Sequence, residues 1–174
     1  MEPFGLPGFK YKGETMTGYM SEMRKLIGHR TIIQCAASIM CVDEQGRILM
    51  GKRSDNHLWG YSGGSVEIDE YVEDCARREL EEEMGLIADD LELFFVNSGP
   101  KTHYIYPNGD EVCNVEVVYI CRKWHGELTA RDGEMEDLRF FSPDEIDLEF
   151  ISPPIRPVFE KYLEVTNYKQ SSIN

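Results

Sequence analysis

From Gly64 to Leu86 the chain reads GSVEIDEYVEDCARRELEEEMGL, a segment that must place acids on the inner face of a helix. At about 100° of rotation per residue with Val72 as origin, Cys75, Ala76, Glu79, Glu82 and Glu83 all fall within about 80° of it. Asp74, Arg77, Arg78 and Glu81 fall on the other side and read as solvated. Carboxylates that share a face with small apolar side chains are partly buried, and such carboxylates must be paired or hold a metal. Glu79 and Glu83 are also like charges at i,i+4, an arrangement that weakens a free helix. The stripe carries no lysine, so it calls for a cation from outside it.

Around this helix the chain has the makings of one domain, because 174 residues with 41% hydrophobic content can bury a sizeable core. The longest apolar runs, Ala36 to Val42 and Val117 to Cys121, fall far short of the ~20 residues of a membrane span. No signal-peptide apolar region follows Met1, so a cytoplasmic protein without membrane attachment is expected. Cysteine usage agrees: there is no CxxC pair, and Cys35, Cys41, Cys113 and Cys121 sit in apolar, strand-like runs, as reduced buried thiols would. A net charge of −14 argues against a nucleic-acid polymer as partner. It leaves room for a small anion, since a metal ion between acids and a phosphate removes the repulsion locally.

Periodicity predicts the remaining elements. Residues 1–28 form an N-terminal extension, irregular around Pro3, Gly5, Pro7 and Gly8, with a helix from about Thr17 to Ile27. Thr31 to Val42 and Arg47 to Arg53 are expected to pair as a hairpin across the turn DEQG. After the acidic helix come a strand near Leu91 to Asn97 and a hairpin with Pro107-Asn108-Gly109-Asp110 at its tip, where Asn-Gly signals a type I′ turn. Its second strand runs from Asn114 to Arg122. A last strand at Leu138 to Ser142, a helical turn at Pro143 to Ile146 and a helix from Pro154 to Val165 complete the chain. Helices flanking a β-rich middle imply an α/β/α sandwich.

The acidic segment fits G-x5-E-x7-R-E-U-x-E-E-x-G-U, with U a bulky aliphatic residue. Gly64, Glu70, Arg78, Glu79, Leu80, Glu82, Glu83, Gly85 and Leu86 occupy every fixed place. In this it resembles the Nudix box of the MutT-like Nudix hydrolases. The preceding Trp59 and Gly63-Gly64 and the closing LRFFSPDEI also look like that family. Two positions depart from it: Ser62 stands where many relatives have Pro, and Asp69 where many have Gly, which puts the loop shape in question more than the chemistry.

The resemblance implies a mixed β-sheet sandwich over residues 1–174, with the box at 64–86 as a loop-helix-loop. It also implies a Mg²⁺-dependent pyrophosphohydrolase, with Mn²⁺ as an alternative metal, that cleaves a nucleoside diphosphate derivative with metal-activated water. A nucleoside triphosphate and a nucleotide sugar such as ADP-ribose are equally compatible substrates, and a homodimer is left open. The residue chemistry agrees, because carboxylate oxygens suit Mg²⁺ and Glu79, Glu82 and Glu83 at i, i+3 and i+4 project from adjacent turns. By resemblance the Gly63 carbonyl is a further ligand and Arg78 orients Glu79; Gly63 and Gly64 permit a tight backbone approach between strand and helix, and Gly64 is counted with Arg53 among the substrate-binding residues. On spacing alone Arg78 is a surface i,i+4 partner of Asp74 or Glu82, and the orienting role is the favoured reading.

Glu70 either complements the helix dipole or supports the metal network. Arg53, at a strand end, offers a bidentate phosphate donor or is simply exposed. The proton acceptor is Glu79 or Glu134, the latter favoured over Glu136 as the carboxylate approaching from outside the helix. Trp59 is expected beneath the box loop, and His103, Tyr104 and Tyr106 near the cleft. The alternative is a Nudix-fold nucleotide-binding regulatory module without hydrolysis.

Overall fold

The computed structural model describes residues 18–131 and 133–171, with side chains through Thr166. The irregular stretch expected around Pro3 to Gly8, and the first residue of the expected N-terminal helix, lie outside the described residues. The elements run α1 (Tyr19–Ile27), β1 (Ile32–Cys41), β2 (Ile48–Arg53), β3 (Trp59–Gly60), β4 (Ser62–Ser65), α2 (Val72–Met84), β5 (Leu86–Ala88), β6 (Glu92–Asn97), β7 (His103–Ile105), β8 (Glu111–Cys121), β9 (Trp124–Gly126), β10 (Met135–Phe141) and α3 (Arg156–Ser171).

The central sheet has the order β4-β1-β8-β6, with β7 also on β8. It is mixed: β1 and β8 run parallel, and every other pair in it is antiparallel. β1 explains why its run is apolar on both sides. Ala37, Ile39 and Cys41 pack with Cys75, Ala76, Leu80 and Met84 of α2. Met40, on the alternate face, packs with Val158, Phe159 and Tyr162 of α3. A central strand covered on both faces reads as continuous hydrophobic sequence. A second sheet, β10-β2-β3, and the small β5-β9 pair complete the sandwich.

The expected pairing of β1 with β2 is corrected. The turn forms, with Asp43 Oδ1 accepting from the backbone of Gln45 (3.0 Å) and Arg47 (2.8 Å), but the strands meet only at the Val42–Ile48 bridge and then part. Both edges of β1 are taken by β4 and β8, so β2 pairs instead with β10 and β3. The hairpin β7-β8 does form, but its turn differs. The turn is centred one residue earlier, on Pro107-Asn108, with the Gly109 N–H donating to Tyr106 O at 2.8 Å; Pro107 at its first central position excludes the positive φ of a type I′ turn, and Gly109 follows left-handed (φ 89°) as the bulge residue of a type I turn. Two further expectations fail on burial: Cys35 is exposed and Cys113 half-buried, whereas Cys41, Cys75 and Cys121 are buried free thiols. No helix among the described residues is long and apolar enough to cross a membrane.

Candidate active site

β4 and α2 bring the acids to one edge of the central sheet. β4 is the small-residue strand SGGS laid antiparallel on β1, with Gly63 opposite Ser38 and Gly64 opposite Ala37. The bare glycines let α2 come close: a methyl group built on Gly64 would overlap the carboxylate of Glu79. On Gly63 it would lie 2.8 Å from the Cα of Ser38. α2 then ends at Gly85, left-handed at φ 73°, whose N–H donates to Glu81 O at 3.1 Å.

Arg78 gathers the box. It donates to Glu70 from Nε (2.8 Å) and Nη2 (3.1 Å), to Glu79 (2.6 Å) and Glu82 (3.0 Å) from Nη1, and to the Ser65 carbonyl at 3.2 Å. It is thus a half-buried clamp, and its expected solvated position is corrected; Asp74 and Glu81 are exposed as expected. Arg77 is also half-buried, donating to the Ala88 carbonyl. Glu70 caps nothing on α2, which starts without a side-chain cap. Its carboxyl is held below the usual range by the Arg78 guanidinium, and it accepts the Glu67 N–H at 2.9 Å.

The acidic residues of α2 separate by depth. Glu82, at the margin of the stripe, has a side chain 55% exposed, which corrects its expected burial. Glu79 is half-buried, and burial raises its pKa despite the opposing effect of Arg78. Glu83 is 2% exposed, and its pKa is pushed up to about 8, chiefly by burial and further by the charges of Glu79 and Glu134. The Gly63 N–H donates to its Oε2 at 3.1 Å, and Ser62 sits beside it. The three side chains therefore do not converge on one point: Arg78 draws Glu79 and Glu82, while Gly63 holds Glu83. Among the described residues no trio of His, Cys, Asp or Glu forms a ready-made metal cluster. The donor set is nonetheless all oxygen, and a buried carboxylate with raised pKa next to two others is stabilised by a hard divalent cation. The residues fit such an ion.

Glu134 precedes β10 on the exposed side, and its charge reaches both Glu79 and Glu83. Glu136 instead pairs with Lys52 (2.7 Å) and His57 (3.0 Å). Arg53 is 26% exposed, and its fork is engaged by both oxygens of Asp55 at 2.9 Å. A phosphate there would have to compete with that carboxylate. Trp59 lies elsewhere than expected: it packs edge-on against Phe141 (4.7 Å) on the α3 side, because β3 pairs with β2 and bridges to Ile151. His103 turns to Glu111 at 2.6 Å, while Tyr106 does line the cleft.

That cleft, of about 80 Å³, runs from Gly63 and Gly64 past Arg53 and Tyr106. Its floor carries a polar group that reading the sequence missed. Glu116, 5% exposed, accepts from Ser38 Oγ (2.6 Å) and Asn97 Nδ2 (2.9 Å), and burial raises its pKa. The available signal was a carboxylate inside the apolar run VEVVYIC. Asp69 has φ 62°, the left-handed region that explains why glycine suits this place in related loops.

Comparison with known proteins agrees with this architecture. The NUDIX domain family model matches residues 33–162. An RNA pyrophosphohydrolase of Wolbachia pipientis subsp. Culex pipiens is 32% identical over 118 residues, covering 67% of this chain and 65% of that protein. The chain thus spans just under two thirds of that relative's length. Nucleoside triphosphatase NudI of Salmonella newport is 28% identical over 122 residues, or 64% of this chain and 85% of that one. Among solved structures, a MutT NUDIX hydrolase from Burkholderia pseudomallei is 27% identical with a TM-score of 0.62, covering 75% of this chain and 98% of that one. The NUDIX domain of Shewanella oneidensis NrtR, complexed with ADP ribose, has a TM-score of 0.62 at 16% identity, covering 83% of this chain and 98% of that chain, a likeness of fold alone. With three quarters of its length inside the family match and the box acids gathered at the edge of a mixed-sheet sandwich, the chain belongs to the Nudix family.

Proposed function

We propose that this protein is a divalent-cation-dependent pyrophosphohydrolase acting on a nucleoside diphosphate derivative, with Mg²⁺ as the metal. The observation that carries this reading is Glu83, a carboxylate buried against the Gly63 amide with its pKa raised to about 8, beside Glu79 and within reach of the charge of Glu134. A site of that kind is held at an energetic cost unless a cation offsets it. Residues 1–174 are taken as one Nudix domain with 1–28 as an extension.

Glu79, Glu82 and Glu83, with the Gly63 carbonyl, would hold the cation, which supplies charge neutralisation to the diphosphate and Lewis acidity toward water. The chain's own residues do the rest. Arg78 fixes the rotamer of Glu79 and, through Glu70, ties the loop before α2 to the helix. Gly64 keeps the approach to Glu79 free of side chains. Glu134 or Glu79 takes the proton from water. A carboxylate committed to a cation is a poor base, which favours Glu134 when Glu79 is a ligand. Arg53 contacts a phosphate at the expense of its bond to Asp55.

A nucleotide-binding module without hydrolysis would have no use for a complete set of box carboxylates around a clamped arginine. The two readings separate in a screen of nucleoside triphosphates, ADP-ribose, nucleotide sugars and dinucleoside polyphosphates, with Mg²⁺ or EDTA and with product identification. Metal-dependent cleavage of an anhydride bond is expected. Binding without turnover across the panel would favour the regulatory module.

A further inference from the structure

Outside the family match, α1 builds a wall of a second chamber. This helix buries none of its residues, and nine residues are too few to be stable alone in water. Polar ties hold it instead. The Tyr19 N–H donates to Glu67 Oε2 at 2.7 Å, on the loop that leads to α2. Arg24 donates to the carbonyls of Arg30 (2.7 Å) and Glu111 (2.8 Å), stitching the helix to the start of β8. Between α1 and the β7-β8 turn lies this chamber, widely open to solvent and of about 560 Å³, which shares Gln34 and Tyr106 with the cleft beside Gly64.

Volume and charge say what such a cavity takes. The cleft alone, at about 80 Å³, cannot enclose a nucleoside, whereas the chamber lies in the ~300–1,000 Å³ range of ligand sites. Lys25 lines it and forms no ion pair among the described residues, and Arg24 lies 3.5 Å from Asp110. With Arg24 spent on Asp110, Lys25 is the cation left over among the lining residues, in a chain of net charge −14. Tyr106 stands at the junction, its ring fixed edge-to-face on Tyr104 at 5.1 Å, and offers an aromatic wall.

We propose that the α1 chamber is a substrate subsite for a phosphate-bearing group distal to the scissile diphosphate, with Lys25 as the anion contact. Resting on the hydrolase reading of the neighbouring site, this narrows the substrate to a nucleotide derivative whose second half carries its own phosphate. Both a dinucleoside polyphosphate and a short 5′-triphosphorylated oligonucleotide have that chemistry.

Direct binding tests it independently of turnover. Affinities for ATP, diadenosine tetraphosphate and a 5′-triphosphorylated dinucleotide are measured by titration calorimetry in Ca²⁺ buffer, for the full chain and for its Lys25→Ala and Ser21→Trp variants. Ser21 is an exposed residue of α1 that lines the chamber, so tryptophan there fills it without disturbing the core. The wild type is expected to prefer one of the two extended ligands over ATP, and the ligand preferred identifies the source. Lys25→Ala should cut that preference by up to about fivefold, the upper end for one exposed charge contact. Ser21→Trp should abolish it while the melting temperature holds. Equal affinity for all three ligands, or a preference that survives both variants, overturns the subsite. Failure of the hydrolase reading would appear separately, as absence of metal-dependent cleavage.

Discussion

Replacing Glu83 by glutamine should stabilise the metal-free protein and nearly abolish its activity. The carboxyl ionises near the ordinary 4.5 in the unfolded chain and at about 8 in the folded one. Because the folded value is raised, the native state binds the extra proton, and stability falls as pH climbs from about 4.5 to about 8. At pH 7 the destabilisation from this one group is about 3 kcal/mol, from ~1.36 kcal/mol for each pH unit above the unfolded value. Glutamine keeps an acceptor for the Gly63 N–H and carries no charge to desolvate. For a chain of this size the gain corresponds to roughly 6–12 °C in melting temperature. Burial also raises Glu79 and Glu116, so the wild-type curve alone mixes several groups. The difference between wild type and variant isolates Glu83. Differential scanning fluorimetry in EDTA from pH 5 to 9 should show the two proteins converging at low pH and the variant ahead above pH 7. Millimolar Mg²⁺ should then raise the wild type and leave the variant nearly unmoved, with hydrolysis down at least ~10²-fold. A variant no more stable than wild type at pH 8 in EDTA would refute the placement of an uncompensated carboxylate at Glu83.

Arg78→Lys should lower kcat by at least ~10-fold, because one ammonium cannot reproduce a guanidinium that reaches Glu70, Glu79 and Glu82 together; steady-state kinetics with a matched melting curve would show it. The adjacent glycines should separate by kind. Gly64→Ala pushes the Glu79 carboxylate off its bond to Arg78 and should cost about 10²-fold in rate, with little stability change because the displaced group is a side-chain end. Gly63→Ala presses on the Ser38 backbone at 2.8 Å and should cost about 1–3 kcal/mol in urea unfolding. Asp69→Gly relieves a side chain held at φ 62° and should stabilise by about 0.5 kcal/mol, read as a higher urea midpoint.

The helix, its Gly85 stop and the inward turn of Glu79 and Glu83 were legible in the sequence because they follow from rotation per residue and from local backbone preference. So were most strands, since burial on one or both faces leaves a periodic trace. Strand partnership was not: β1 and β2 are neighbours in sequence but part after one bridge, because β8, some seventy residues on, occupies the edge β2 would need. Trp59 went with β3 to the α3 side for the same reason. Within the site, the sequence by itself determined that carboxylates would meet a shortage of water and a need for positive charge. Only the tertiary structure decided which of them is deep. Glu82 and Glu83 are adjacent letters, yet β4 lies over one and solvent over the other. The same holds for Glu116, an interruption in an apolar run until Ser38 and Asn97 arrive from two other strands to satisfy it. Spacing along one helix is a local property. Depth and partnership depend on which distant segment covers the residue, and the folded chain alone settles that.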